Sequence, residues 1–422
     1  MSEVGANPSD WQATTLGTLA DYVNGYPFKP RDWTTVGLPI VRIAQMTNAT
    51  AAFDYFTGPL PPEYRIDSGD LLFSWSATLT ALIWQRGPAY LNQHIYKVVA
   101  RSNNDLRFLY HLLNWLVDPL ANQSHGTTMK HVTRGDLLPY PVTVPSPNEQ
   151  SRIAAVLDTV DEAIAKTEAV IAKLKQVRAG LLHDLLTRGL DENGQLRDPI
   201  AHPEQFQDSP IGRIPREWEI RQIGALIAGF ESGVSVDSVD IPASEGEIGV
   251  LKTSCLTGGI FNPLESKVVK PHERAHVNCR PRHDSIIISR MNTPQLVGES
   301  AYVESDFDHL FLPDRLWQTI KLPHDPTCIR WLSYVFQSPE LRDKISAGAT
   351  GTSGSMKNVS QMFVLGLDVR VPRRDEQQQI AETLGQQEEA CHCEEEVLKK
   401  LRNLKSALMA DLLTGRVRVP AS

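Results

Sequence analysis

The chain is written twice, and no local pattern constrains its fold as tightly as that repetition. Residues 127–188 align with residues 354–415 at one constant offset and without a gap. In this register Met129-Lys130 falls on Met356-Lys357, Val132 on Val359, and Val142, Val144 and Pro145 on Val369, Val371 and Pro372. Glu149-Gln150 falls on Glu376-Gln377, Ile153-Ala154 on Ile380-Ala381, Leu157 on Leu384 and Leu174 on Leu401. Asp184-Leu185-Leu186-Thr187 then meets Asp411-Leu412-Leu413-Thr414. The front of each half matches more loosely, with Trp11, Leu16, Gly17 and Leu19 on Trp218, Ile223, Gly224 and Leu226. Leu106-Arg107-Phe108-Leu109 similarly resembles Ile329-Arg330-Trp331-Leu332. Asp70-Leu71-Leu72-Phe73 also resembles Asp284-Ser285-Ile286-Ile287, but between these anchors the halves diverge: SWSATLTALIWQRG after Phe73 has no counterpart in ISRMNTPQLVGES after Ile287. A shared frame with divergent inserts is one fold aimed at two targets.

Each half opens with short apolar runs broken by Gly, Pro, Asn and Asp: LPIVRIA, DLLFSW and IYKVVA in the first, SIIISR and LWQTIKL in the second. Their length and β-branching predict strands. LRFLYHLLNWLVDPL and IRWLSYVFQSPELRDKI predict a packing helix in each half, and each half closes on a much longer helix. In the first, Ile153, Leu157, Val160, Ile164, Thr167, Ile171, Leu174, Arg178, Leu181 and Leu185 recur at alternating spacings of four and three, the seam of a coiled coil. The second copy reads Ile380, Leu384, Gln387, Cys391, Glu394, Leu398, Leu401, Lys405, Leu408 and Leu412, with a more polar middle. Neither helix can bury its stripe in so small a domain, so the two are expected to pack on each other, antiparallel if a pseudo-twofold relates the halves, with dimerisation through one helix as the alternative. Residues 191–208 are rich in turn formers and unpatterned, as in a linker.

At 422 residues the chain is too long for one core and suits two or three domains. No run of about 18 apolar residues marks a membrane span, and MSEVGANPSDW is not a secretory signal. Five scattered cysteines suggest reduced thiols and a cytoplasmic protein. A net charge of −8 disfavours a chain that grips DNA alone, since phosphate neutralisation supplies most non-specific affinity. One stretch is locally basic, with Lys267, Lys270, Arg274, Arg280, Arg282 and Arg290 opposed only by Glu273 and Asp284.

Two divergent β-containing domains, each followed by a long helix that starts after a P-x-x-x-E-Q step and ends in DLLT, resemble the specificity subunits of type I restriction-modification systems. The segment SPIGRIPREWEI, Ser209 to Ile220, is similar to the linker that opens the second target-recognition domain in that family. The resemblance implies an α+β fold with two target-recognition domains and an antiparallel coiled coil. Its divisions are residues 1–146 and 209–373 for the readers, 147–190 and 374–415 for the helices, 191–208 for the linker and 416–422 for a tail. It further implies double-stranded DNA and two methyltransferase subunits as partners, with restriction (motor-nuclease) subunits joining through that complex, and no membrane. The coiled-coil and partner interface expected from it comprises Ile153, Leu157, Ile164, Ile171, Leu174 and Leu181 with Ile380, Leu384, Leu398, Leu401 and Leu408.

No catalytic site, cofactor or metal is expected. PPEY at Pro61–Tyr64 lacks the amide of an NPPY-type methyltransferase motif, and GATGTSGSMK at Gly348–Lys357 fails the phosphate-loop spacing. In CHC at Cys391–Cys393 the thiols two apart on a helix point to nearly opposite sides and cannot share one tetrahedral ion. Direct readout instead needs amides, guanidiniums and hydroxyls carried into a groove. Ser74, Ser76, Thr78, Asn92, Gln93 and His94 are the candidates in the first half, and Arg290, Asn292, Thr293 and Gln295 in the second. Lys130, Lys357, Arg280 and Arg282 are phosphate-contact candidates. Rival readings are a DNA-reading subunit of a non-restriction phage-defence methylation system, a self-sufficient enzyme, and a coiled-coil scaffold that binds only proteins.

Overall fold

The computed structural model describes residues 8–123, 131–324, 327–353 and 356–420. The chain divides into two compact units. Unit one comprises Met1–Val170 with Glu394–Ser422, and unit two comprises Ile171–Cys393. The boundaries cut both long helices, Pro147–Thr187 and Arg374–Leu412, so each unit holds the start of one and the end of the other.

Both units use one sheet topology. In unit one an antiparallel four-stranded sheet runs Ala20–Asn24, Ile95–Ala100, Leu71–Ser74, Thr80–Ile83. In unit two the same order is Ile227–Ser232, Leu316–Lys321, Ser285–Ser289, Ser300–Val303. Each unit adds a second four-stranded sheet containing one parallel pair, Leu38–Val41 with Ala89–Leu91 or Gly249–Leu251 with Leu310–Phe311. The predicted strands form, except that in LPIVRIA only Leu38–Val41 is extended and Ile43–Thr47 turns into a short helix.

The central strands are apolar without alternation because both of their faces are buried. Successive side chains point to opposite faces of a sheet. Leu71 and Phe73 pack toward the helices while Leu72 joins Val41, Trp84 and Leu91 on the other side. In unit two Ile286 and Ile288 face the helices and Ile287 faces Leu251, Cys255 and Leu312. The packing helices each break in two, into Leu106–Trp115 and Val117–Gln123, and into Ile329–Gln337 and Pro339–Gly348. Ser338 ends one piece and caps the next by accepting from Leu341 N, with Pro339 at the first helical position.

The long helices run antiparallel in each unit. In unit one Ile153, Ala154 and Leu157 share a core with Met409, Leu412 and Leu413, and Asp161 meets Lys405 at 2.5 Å while Glu168 meets Arg402 at 2.7 Å. In unit two Leu182, Leu185 and Leu186 share a core with Ile380, Ala381 and Leu384, and Arg178 meets Glu388 at 2.6 Å. Every seam position from Ile153 to Leu185 and from Ile380 to Leu412 is buried or half-buried, including the polar ones.

The segment expected to be a linker carries ordered contacts. Phe206–Gln207 pairs with Ile214–Pro215, and Arg197 is buried against Glu376. Its turn formers shape a packed connection, because a charge pair distant in sequence holds it. No helix among the described residues is long and apolar enough to cross a membrane.

Candidate nucleic-acid interface

The repeated Glu-Gln step positions each antiparallel four-stranded sheet on the helix pair. Gln150 accepts from Asp105 N at 3.0 Å and donates to Pro145 O at 3.1 Å; Gln377 accepts from Cys328 N at 2.8 Å and donates to Pro372 O at 2.9 Å. Each glutamine thereby ties the start of a packing helix to the end of the preceding strand. The glutamates do a different job. Glu376 accepts from Arg197, Trp218 Nε1 and Leu190 N, and Glu149 accepts twice from Arg418, which also holds Asp10. Gly189 and Gly415 follow the two DLLT runs at φ +59° and +73°, and a Cβ there would strike Trp218 and Glu376 or Pro8 and Trp11.

A second charged cluster ties the packing helix to the coil in each unit. In unit one His111, fully buried, lies 2.8 Å from Asp158, which also accepts from Arg107 at 2.9 Å. Asp161 binds Lys405 and lies 3.4 Å from the Tyr110 hydroxyl. Burial pushes the Asp158 carboxyl up, but Arg107 and His111 outweigh it and hold the group below its ordinary value. Burial holds the His111 imidazole below its usual value. Unit two reproduces the plan with Arg330 and Tyr334 around Glu388 and with Arg178 opposite. Arg178 and Lys405 are equivalent in the repeat. His111, Asp158 and Asp161 are close enough together to hold a metal ion, but Arg107 and Lys405 already neutralise the carboxylates. Cys391 is half-buried and Cys393 exposed on the same helix.

The reader candidates follow two strand ends. In unit one Ser74 is fully buried, and its Oγ donates to Thr78 O at 2.5 Å and accepts from Thr80 N at 3.0 Å. It closes the turn around Ala77 (φ +59°) and offers no surface to a ligand, which corrects the expectation that it reads DNA. Ser76 and Asn92 are also buried, bridging through their backbones to His131 and Tyr26, while Thr78 is exposed. Gln93 and His94 are half-buried and 3.4 Å apart, and His94 Nδ1 is buried with no partner among the described residues. Lys130 lies outside the described residues.

In unit two Arg290 and Asn292–Thr293 are half-buried at the end of Ser285–Ser289, Gln295 is exposed, and Asn292 pairs across strands with Lys357. Arg280 and Arg282 precede that same strand, so the two groups lie at opposite ends of a five-residue strand, about 17 Å long at ~3.3 Å per residue. Arg282 pairs with Glu231, and Arg280 lies over Phe311 and 4.0 Å from Asp308. Lys267 and Lys270 pair with Asp240 and Asp237. The basic stretch is therefore largely neutralised by acids from elsewhere in the chain. Residues that the sequence reading passed over, Trp75, His131, Arg315 and Trp317, surround the strand ends carrying His94 and Arg290. The matched valines Val132 and Val359, which bond to Trp75 and Arg290, were the signal for them.

The family profile described as type I restriction modification DNA specificity domain matches residues 8–176. The chain is 27% identical over 215 residues to the type I restriction enzyme EcoBI specificity subunit of Escherichia coli, covering 49% of this chain and 44% of that one. It thus spans under half the length of that relative. To the type I restriction enzyme MjaVIII specificity subunit of Methanocaldococcus jannaschii it is 21% identical over 433 residues, covering 98% of this chain and 94% of that one. In fold it is similar to the S subunit of the type I restriction-modification system from M. genitalium, at a TM-score of 0.61 and 14% identity over 100% of this chain and 99% of that one. A chain from a structure describing complex assembly and conformational transition of the type I R-M system gives a TM-score of 0.51 at 18% identity, covering 98% of this chain and 100% of that one. Residues 8–176 thus match the type I restriction modification DNA specificity domain, and the whole chain, with its internal repeat, shared sheet topology and antiparallel helix pair, is similar to type I specificity subunits.

Proposed function

We propose that the chain is a non-catalytic subunit that recognises a bipartite, asymmetric duplex DNA sequence, one half through each unit. The observation that carries this reading is one topology used twice with different side chains at the ends of equivalent strands. A protein-only scaffold gives no reason for that divergence. Thr78, Gln93 and His94, and Arg290, Asn292, Thr293 and Gln295, are the base-reading candidates, with Lys357 and Lys130 on phosphates and Arg280 and Arg282 as weaker, already paired ones. Two methyltransferase subunits dock on the helix pair and supply the phosphate grip that a chain of net charge −8 lacks. Restriction subunits join through them, so methyltransferase and endonuclease activity belong to the assembly.

The test is coexpression with the methyltransferase subunits in a host without other DNA methylation, followed by sequencing of modified bases. A split motif with an unspecified gap is expected. Methylation by the chain alone with S-adenosylmethionine, or an assembled complex that modifies no defined sequence, would sink the proposal.

A further inference from the structure

Two residues that no sequence alignment pairs occupy one position of the shared frame. Trp75 follows the strand Leu71–Ser74, and Arg290 follows Ser285–Ser289. Trp75 N donates to His94 O at 3.2 Å, and Val132 N donates to Trp75 O at 3.0 Å. Arg290 N donates to Arg315 O at 3.0 Å, and Val359 N donates to Arg290 O at 3.0 Å. Because Val132 and Val359 are matched in the repeat, these are the same backbone bonds made twice.

The side chains at this position differ completely. Trp75 sits 5.3 Å from the His94 ring, 5.9 Å from Tyr96 and 6.2 Å from His131, and its Nε1–H donates to Asn24 Oδ1 at 3.1 Å. Arg290 holds its guanidinium 5.7 Å from the centroid of Trp317, which stacks on Phe230. Its Nε is buried and has no hydrogen-bond partner among the described residues. Arg290, Arg315 and Lys357 form no ion pair among the described residues, unlike Lys267, Lys270 and Arg282. Three cations without an ion pair among the described residues thus stand near the end of Ser285–Ser289.

We propose that Trp75 and Arg290 are the equivalent specificity-determining residues of the two units, Arg290 selecting a guanine and Trp75 a thymine methyl. This rests on the DNA-reading function proposed above. A guanidinium matches the O6 and N7 acceptors of guanine in a bidentate fork. The Trp317 face limits its orientations before binding. Trp75 has a single donor, already given to Asn24, so it offers a base only carbon, which suits the thymine methyl. Arg315 carries no base information and binds phosphate.

The experiment uses the full chain with its methyltransferase subunits and reads the modified motif by sequencing. Arg290→Ala should lower discrimination at one guanine position of one half-sequence by about ten- to a hundredfold, leaving the other half intact as an internal control of folding. Trp75→Ala should relax one A·T position in the opposite half. Arg315→Ala should weaken modification of all sites alike. If Arg290→Ala abolishes modification altogether, Arg290→Lys, which still reaches guanine acceptors, must return the original motif. The inference is overturned if it does not, if the motif is unchanged by Arg290→Ala, or if both halves relax together. An unaltered complex without a split motif removes the functional reading itself, whereas a split motif indifferent to these substitutions removes only this assignment.

Discussion

Arg197 donates two hydrogen bonds to Glu376, at 2.6 and 3.3 Å, with both side chains less than a tenth exposed. Glu376 also accepts from Trp218 Nε1 and Leu190 N, so one carboxylate joins the start of the second long helix, the end of the first and the entry to the sheets of unit two. Removing it leaves a buried guanidinium and two orphaned donors. Glu376→Ala should destabilise unit two by about 3–5 kcal/mol. Arg418→Ala, at the matching but more exposed clamp on Glu149, should cost less. Denaturant titration of both variants checks the order, and equal losses would contradict it.

Arg178 and Glu388 set the pairing of the coil in unit two, as Lys405 and Asp161 do in unit one. A polar residue at a seam position fixes register at some cost in stability. A double-mutant cycle with Arg178→Met and Glu388→Gln should show a coupling of roughly 1–2 kcal/mol. A coupling within error of zero would mean that the apolar seam alone aligns the helices.

His111 should make unit one acid-sensitive. Its folded pKa lies below the ordinary value of about 6.5 because burial disfavours the imidazolium, although Asp158 and Asp161 oppose that shift and Lys405 reinforces it. A depressed folded pKa contributes stability above the unfolded pKa and loses it as pH falls below. Unfolding midpoints measured at pH 7.5 and 5.5 should therefore drop more for the unaltered chain than for His111→Gln. An identical pH dependence would rule the histidine out. Unit two, with Tyr334 at the aligned position, lacks this group.

The helix pair should act as the ruler for the unspecified gap in the target. Four residues inserted after Thr167 add about 6 Å at ~1.5 Å per residue, which approaches two base pairs of ~3.4 Å. With a matching insertion near Glu394, the gap should lengthen by one or two base pairs while both half-sequences stay the same. Altered half-sequences, or an unaltered gap in a variant that still modifies DNA, would show that the helices do not measure it.

Much of this architecture was legible before any coordinates. The repeat announced two copies of one fold, the four-three spacing announced the seam, and runs such as SIIIS announced central strands, because these signals are local or periodic. The Glu-Gln step and DLLT stood out as repeated, but their work did not, since Glu376 acts on Arg197 and Trp218 and Glu149 on Arg418. Which cations remain free was equally hidden. Lys267, Lys270 and Arg282 read as a basic run until Asp240, Asp237 and Glu231 arrive from distant positions to neutralise them. Ser74 read as a polar loop residue until the turn closed over it. The sequence by itself determined the repetition, most of the secondary structure and the seam of the helix pair, because backbone periodicity and apolar burial are written in neighbouring residues. Tertiary structure alone decided the equivalence of Trp75 with Arg290 and the partners of each charge. Those depend on hydrogen bonds and ion pairs between segments far apart in the chain, and no local pattern encodes them.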